Sequence, residues 1–70
     1  MSEYVVIYEH GEDGGWGAYL PDLPGVVALG KTRAEVAKGI KRALEAYAGE
    51  LNKRGDPLPE PLHEVGTVSA

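Results

Sequence analysis

The sequence contains no cysteine, only two histidines and no long hydrophobic run. Without cysteine, neither a disulfide nor a thiolate metal site can stabilise a chain of 70 residues. A membrane-spanning helix needs about 20 consecutive apolar residues, and the N-terminus lacks the basic and apolar regions of a signal peptide. We therefore expect residues 1–70 to form a single small cytoplasmic domain that binds no cofactor and no membrane.

Basic residues are also scarce. Seven lysines and arginines stand against eleven acidic residues, which gives a net charge of −4. This balance argues against direct binding to nucleic acid and suits a basic protein partner. The apolar fraction of 43% is typical of a globular protein.

Three short apolar segments predict the first three strands. Residues 4–9, 16–20 and 26–29 are rich in β-branched, aromatic and other apolar side chains. A polar, glycine-rich loop separates the first two segments, and a proline-rich turn at 21–25 separates the last two. Residues 4–9 are apolar on both faces, which is typical of a strand covered on two sides.

The following segment carries the signals of one long helix. Thr32 and Glu35 have the spacing of a capping box, in which each side chain accepts a bond from a free backbone N–H. Gly55 supplies a left-handed stop at the C-terminal end. Apolar residues recur between them at steps of three or four and form one stripe: Val36, Ile40, Leu44, Tyr47 and Leu51.

Residues 62–68 are predicted as a fourth strand, although Gly66 weakens the pattern. The resulting β-β-β-α-β order predicts an α+β fold in which a single helix packs on a mainly antiparallel four-stranded sheet. A right-handed return gives the strand order 3-2-1-4, with the first strand in the interior. One helix covers only one face of such a sheet, so we expect the other face to be an interface.

No residues have the spacing of a catalytic or metal site. His10 and His63 are far apart in sequence, and the serines lie near the termini. The predicted order also matches the first part of the ribonuclease H fold, whose nucleases hold metal ions with carboxylates. Glu9, Glu45 and Glu64 are the nearest candidates, but they lie at element ends or on a solvated helix face. We therefore predict that the protein is not an enzyme and holds no metal.

Partner contact is the better-supported chemistry. Aromatic residues are enriched at interface centres but also fill cores, and carboxylates around loops either remain solvated or steer a basic protein. The sequence leaves both alternatives open for each residue. The candidates for partner binding are Glu9, Asp13, Trp16, Tyr19 and Asp22.

Three motifs together resemble the HicB-like antitoxin family. Residues 16–25 read W-G-A-Y-L-P-D-L-P-G, residues 30–35 fit G-x-T-x-x-E, and residues 55–59 read G-D-P-L-P. The alanine that usually follows the glutamate comes one position later, with Val36 in its place. The residues that carry the resemblance are interpreted as structural: Pro21, Leu23, Pro24, Gly25, Gly30, Thr32, Glu35 and Gly55.

The resemblance implies a partial ribonuclease H fold without its catalytic carboxylates. It also implies self-association, as a homodimer or higher homo-oligomer, and a small basic HicA-like toxin that cleaves mRNA as the partner to be neutralised. Many family members carry a C-terminal DNA-binding region. This chain ends at Ala70 without one, so we expect no direct contact with nucleic acid. The alternative hypothesis is a homo-oligomeric HicB-like domain with no toxin partner.

Overall fold

A computed structural model describes residues 3–70. Within them, three strands precede one long helix: β1 (Ile7–His10), β2 (Trp16–Tyr19), β3 (Val27–Gly30) and α1 (Arg33–Arg54). The strands form an antiparallel sheet of order β1-β2-β3, and the helix packs on one of its faces. The predicted α+β class is confirmed. Nowhere in this range does a helix combine the length and apolar character needed to span a membrane.

The turn between β2 and β3 buries side chains as well as reversing the chain. The carbonyl of Leu20 accepts from the N–H of Leu23 at 3.1 Å, and the carbonyl of Leu23 accepts from the N–H of Val26 at 3.1 Å. All three side chains are buried in the core. Gly25 has a φ of 97°, a conformation that favours glycine because it has no Cβ. The P-D-L-P-G turn therefore contributes Leu23 to the core, and Leu20 and Val26 on either side of it are buried with Leu23.

Helix α1 begins and ends where the sequence predicts. Thr32 Oγ1 accepts from the N–H of Glu35 at 3.1 Å, which caps the first turn. The carboxylate of Glu35 accepts from the N–H of Lys31 at 3.0 Å, one residue before the expected partner in a capping box. Gly55 has a φ of 74° and donates its N–H to the carbonyl of Asn52, which ends the helix.

The helix approaches the sheet closely at one glycine. A Cβ added at Gly39 would lie 3.2 Å from the Cβ of Ala28, closer than an ordinary van der Waals contact. Small side chains at this crossing bring the two layers together around a common core. Its buried members are Ala18, Leu20, Leu23, Val26, Val36 and Ile40.

The predicted fourth strand is wrong. Residues 62–68 form no strand, so β1 lies at a sheet edge and β2 is the central strand. The predicted strand order 3-2-1-4 is therefore wrong. The last strand of the predicted partial ribonuclease H-like arrangement is also absent from residues 3–70. Prolines at 57, 59 and 61 lack the N–H that a sheet ladder requires. The first free N–H groups after them bond to a side chain, as described below.

The two glycines within helix α1 have opposite surroundings, and substituting each of them tests the helix–sheet packing. Gly39→Leu should destabilise the fold by about 1–3 kcal/mol because the new side chain must enter the helix–sheet contact. Gly49→Leu should be neutral or stabilising by up to about 0.8 kcal/mol, since nothing lies within 4 Å of its added Cβ and leucine favours helices. Urea denaturation of both variants measures this difference, and equal effects would contradict the described packing.

Candidate protein-binding site

One face of the sheet has no helix packed on it. Tyr8, Trp16, Ala18 and Ala28 point to the helix side, so their strand neighbours point to the opposite side. The strand register aligns the exposed residues in two rows, Ile7 with Tyr19 and Val27, and Glu9 with Gly17 and Leu29. These six residues are called the free sheet face: Ile7, Glu9, Gly17, Tyr19, Val27 and Leu29.

The most exposed large apolar residue of this face is Leu29, at 87% of its surface. Gly17 lies opposite it, and a Cβ added at Gly17 would lie 3.1 Å from the Leu29 side chain. The absence of a side chain at Gly17 therefore leaves room for Leu29 to lie across β2. Tyr19 and Val27 on the same face are also exposed, and a shared apolar patch of this kind is a feature of a contact surface.

An open cleft lies at the loop end of the free sheet face. Its volume is 410 Å³, and Leu29 forms one wall. Two carboxylates, Glu9 and Asp13, stand at its border. We call it the acidic cleft, and its lining residues are Glu9, Gly11, Asp13, Gly15, Trp16, Gly17, Leu29 and Gly30.

The loop between β1 and β2 positions the Asp13 carboxylate. Asp13 Oδ1 accepts from the N–H of Gly15 at 3.0 Å, and the N–H of Gly11 donates to the carbonyl of Gly15 at 2.8 Å. A Cβ at Gly11 would lie 2.8 Å from Asp13 Oδ1, so glycine is required there for the carboxylate to hold this position. One carboxylate oxygen keeps its full acceptor capacity toward a ligand.

Trp16 lies on the helix side of the sheet with most of its ring packed against other residues. It stacks on His10, its cross-strand neighbour, with ring centroids 4.3 Å apart and an angle of 8° between the planes. Nearby, the Arg33 guanidinium lies 4.1 Å from the centre of the Tyr8 ring. These aromatic contacts fix the strand ends that border the acidic cleft.

Asp22 serves a different role at the opposite end of the sheet. Its Oδ1 accepts from the N–H of Leu62 at 3.0 Å and from Nδ1 of His63 at 2.6 Å, and its Oδ2 accepts from the N–H of His63 at 3.4 Å. The Asp22 side chain is 2% exposed, whereas that of His63 is half-exposed. This arrangement, here called the Asp22 clamp, holds the C-terminal segment against the P-D-L-P-G turn.

The hydrogen bond from the His63 side chain lowers the pKa of the Asp22 carboxyl, and the two backbone N–H groups act in the same direction. Burial of the carboxyl opposes this effect without reversing it. The charged form of Asp22 is therefore the form that the clamp stabilises.

The structure separates the five residues predicted for partner contact. Glu9, Asp13 and Trp16 line the acidic cleft, Tyr19 lies partly exposed on the free sheet face, and Asp22 binds its own chain. Val27, Leu29 and the role of His63 were missed by sequence reasoning. Alternation along β3 was the available signal for Val27 and Leu29, because Ala28 between them faces the helix.

Within residues 3–70, no group of three or more histidine and carboxylate side chains is arranged to hold a metal ion. Glu9 lies on the free sheet face, Glu45 on the exposed part of the helix and Glu64 in the C-terminal segment. The acidic cleft instead places the carboxylates of Glu9 and Asp13 beside the exposed Leu29. This combination is suited to binding a cationic group on the surface of another protein.

Comparison with known proteins agrees with this description. A solved structure of the N-terminal domain of the Burkholderia pseudomallei antitoxin HicB matches with a TM-score of 0.75 and 20% identity, covering 84% of this chain and 69% of the other. The chain thus has the α+β fold of that HicB N-terminal domain. No protein-family model matches the sequence.

Sequence relatives identify the family. A UPF0150 protein of Thermoplasma acidophilum is 38% identical over 68 residues, which cover 97% of this chain and 99% of the relative. A UPF0150 protein of Synechocystis is 35% identical over 57 residues, covering 81% of this chain and 72% of the relative. The chain belongs to the UPF0150 family, and the HicB-like resemblance seen in its motifs is confirmed.

The Asp22 clamp should depend on pH in a defined direction. Because folding lowers the pKa of Asp22, the clamp is fully present above the ordinary aspartate value of about 3.9 and is lost as pH falls further below it. The amide resonance of Leu62 should therefore titrate below pH of about 3.9 in ¹⁵N NMR spectra.

The Asp22→Asn variant is the control, since it has no carboxyl group to titrate at this position. The amide of Val26, which donates to a backbone carbonyl in the same turn, provides an internal reference. A Leu62 amide that titrates equally in the wild type and in Asp22→Asn would contradict the assignment.

Proposed function

We propose that this protein is a non-catalytic, antitoxin-type binding module that neutralises a small basic HicA-like toxin which cleaves mRNA. The observation that carries this proposal is the acidic cleft on a HicB-like fold. It presents Glu9 and Asp13 beside the exposed Leu29 on a sheet face that no helix covers.

The chemistry of the cleft suits a lysine or arginine side chain. Such a side chain has an apolar stem and a cationic end. Leu29 offers an apolar surface for the stem, and the carboxylates of Glu9 and Asp13 offer acceptors for the cationic end. The glycines that line the cleft leave space for a side chain to enter from outside.

The overall charge supports the same partner. A net charge of −4 on a 70-residue chain attracts a basic protein over a distance set by the ionic strength. Tyr19 extends the proposed contact along the free sheet face, whereas Trp16 supports the cleft from the helix side. Asp22 contributes to the fold, because it holds the C-terminal segment of its own chain in the clamp.

Charge reversal in the cleft tests this function. Glu9→Lys should raise the Kd for a HicA-like toxin encoded beside this chain's gene by about tenfold or more, because it places a cation where the partner's cation binds. Calorimetry with a catalytically inactive toxin at two salt concentrations measures the effect. The wild-type Kd should also rise with salt.

Glu45→Lys is the matched control, since it makes the same charge change on the exposed part of the helix. It should change the Kd by less than about threefold. Equal losses in both variants would show that net charge alone governs binding. The absence of any complex, together with no rescue of growth on co-expression, would overturn the proposed function.

A second candidate function is favoured by a separate observation. The free sheet face also carries Ile7, Tyr19 and Val27 in one uncharged row. Such a row suits self-association, and the alternative is therefore a homo-oligomeric domain with no toxin partner.

A further inference from the structure

The C-terminal segment beyond the Asp22 clamp is apolar and exposed. Leu62, Val65 and Val68 are 84%, 77% and 94% exposed, respectively. Between them lie a glycine and a threonine, as well as a histidine and one acidic residue. We call residues 62–68 the tail. The tail has apolar side chains suitable for packing, and most of their surface is left exposed by its own chain.

The tail begins beside an equally apolar part of the sheet. A groove of 430 Å³ lies between them, with Val5, Ile7 and Tyr19 on the sheet side and residues 63–66 on the tail side. Val27 continues the sheet side of this surface, because it lies opposite Tyr19 in the strand register. The strand residues Ile7, Tyr19 and Val27, together with Val5 just before β1, are called the apolar half of the sheet.

The apolar half of the sheet carries less negative charge than the end with the acidic cleft. Two copies that each carry −4 repel one another wherever their carboxylates approach. The apolar half carries no charged side chain, and Glu9 and Asp13 lie at the other end of the sheet, in the acidic cleft. At the tail, the Asp22 carboxylate is already bonded to His63, and among residues 3–70 Glu64 is the one carboxylate that lines the groove. Close approach of a second copy is therefore less unfavourable over the apolar half of the sheet than over the acidic cleft, where two carboxylates stand.

The available area shows that the sheet alone is too small. Three strands about 4.8 Å apart and four residues long project only about 200 Å². A stable interface usually buries about 800 Å² on each partner. A tail of seven residues reaches at most about 23 Å, with exposed apolar side chains along it. An interface formed by this region must therefore include the tail.

We infer that the apolar half of the sheet and the tail form one homodimer interface, in which the tail of each copy packs across the apolar half of the other. The two contacts are equivalent by twofold symmetry, as in most homodimers. This inference rests on the self-associating function proposed above and specifies the surfaces that it uses. It does not depend on toxin binding through the acidic cleft.

Analytical ultracentrifugation of the full chain from about 1 to 500 μM should show a reversible dimer. Val27→Lys should raise the dimer dissociation constant by at least about tenfold, because it places a charge in the apolar half. Leu58→Lys is the matched control, because Leu58 is also a partly exposed apolar residue, at 39%. It adjoins Pro59, whose carbonyl accepts a hydrogen bond from the Tyr4 hydroxyl on the helix side of the sheet, away from the apolar half. Circular dichroism verifies that both variants are folded.

Cross-linking tests the exchange of tails, and the cysteine-free sequence makes single thiols unambiguous. Val27→Cys and Val68→Cys chains of different mass are mixed and oxidised mildly. The mixed disulfide between them should exceed either disulfide between identical chains, and it should exceed the product of Val27→Cys with Gly49→Cys, which places the thiol on the exposed helix surface.

The outcomes of these experiments distinguish the proposed interface from self-association in general. A strict monomer at 500 μM would overturn both the inference and the self-associating function. A dimer that is unaffected by Val27→Lys would overturn the inference while leaving self-association in place. A dominant Val27–Val27 cross-link would exclude the exchanged tail.

Discussion

One helix can cover only one face of a three-stranded sheet, and the rest of the molecule depends on that constraint. Helix α1 packs against one face, where Gly39 approaches Ala28 closely and Val36 and Ile40 complete the core. The opposite face consequently exposes apolar residues such as Leu29. Burial on one side thus stabilises the fold, while lack of burial on the other leaves a surface available for partners.

Local signals in the sequence are sufficient to predict most of this architecture. Thr32 and Gly55 set the helix ends through short-range hydrogen bonds and backbone conformation, which are encoded within a few residues. The P-D-L-P-G turn is equally local, although the complete burial of Leu23 is a tertiary property. Glu35 shows the limit of such local prediction. Its carboxylate accepts from the N–H of Lys31, whereas the capping box predicts the N–H of Thr32.

The C-terminal segment could not be predicted in the same way, because a long-range contact determines its path. Residues 62–68 have strand-like composition, but the N–H groups of Leu62 and His63 donate to Asp22, 40 and 41 residues earlier in the chain. No periodicity within the segment encodes that choice. The candidate site shows a similar limit, because the cleft depends on a register that brings Gly17 opposite Leu29.

The two ends of the free sheet face favour different physical interactions. Carboxylates at Glu9 and Asp13 act over roughly a Debye length, about 8 Å at physiological ionic strength, so they influence the approach of a basic partner before contact. Apolar side chains such as Val27 contribute only when water is excluded, and salt does not screen that contribution. Added salt therefore weakens attraction to a basic partner and reduces repulsion between two acidic copies. The balance between the two proposed associations is set by ionic strength as well as by concentration.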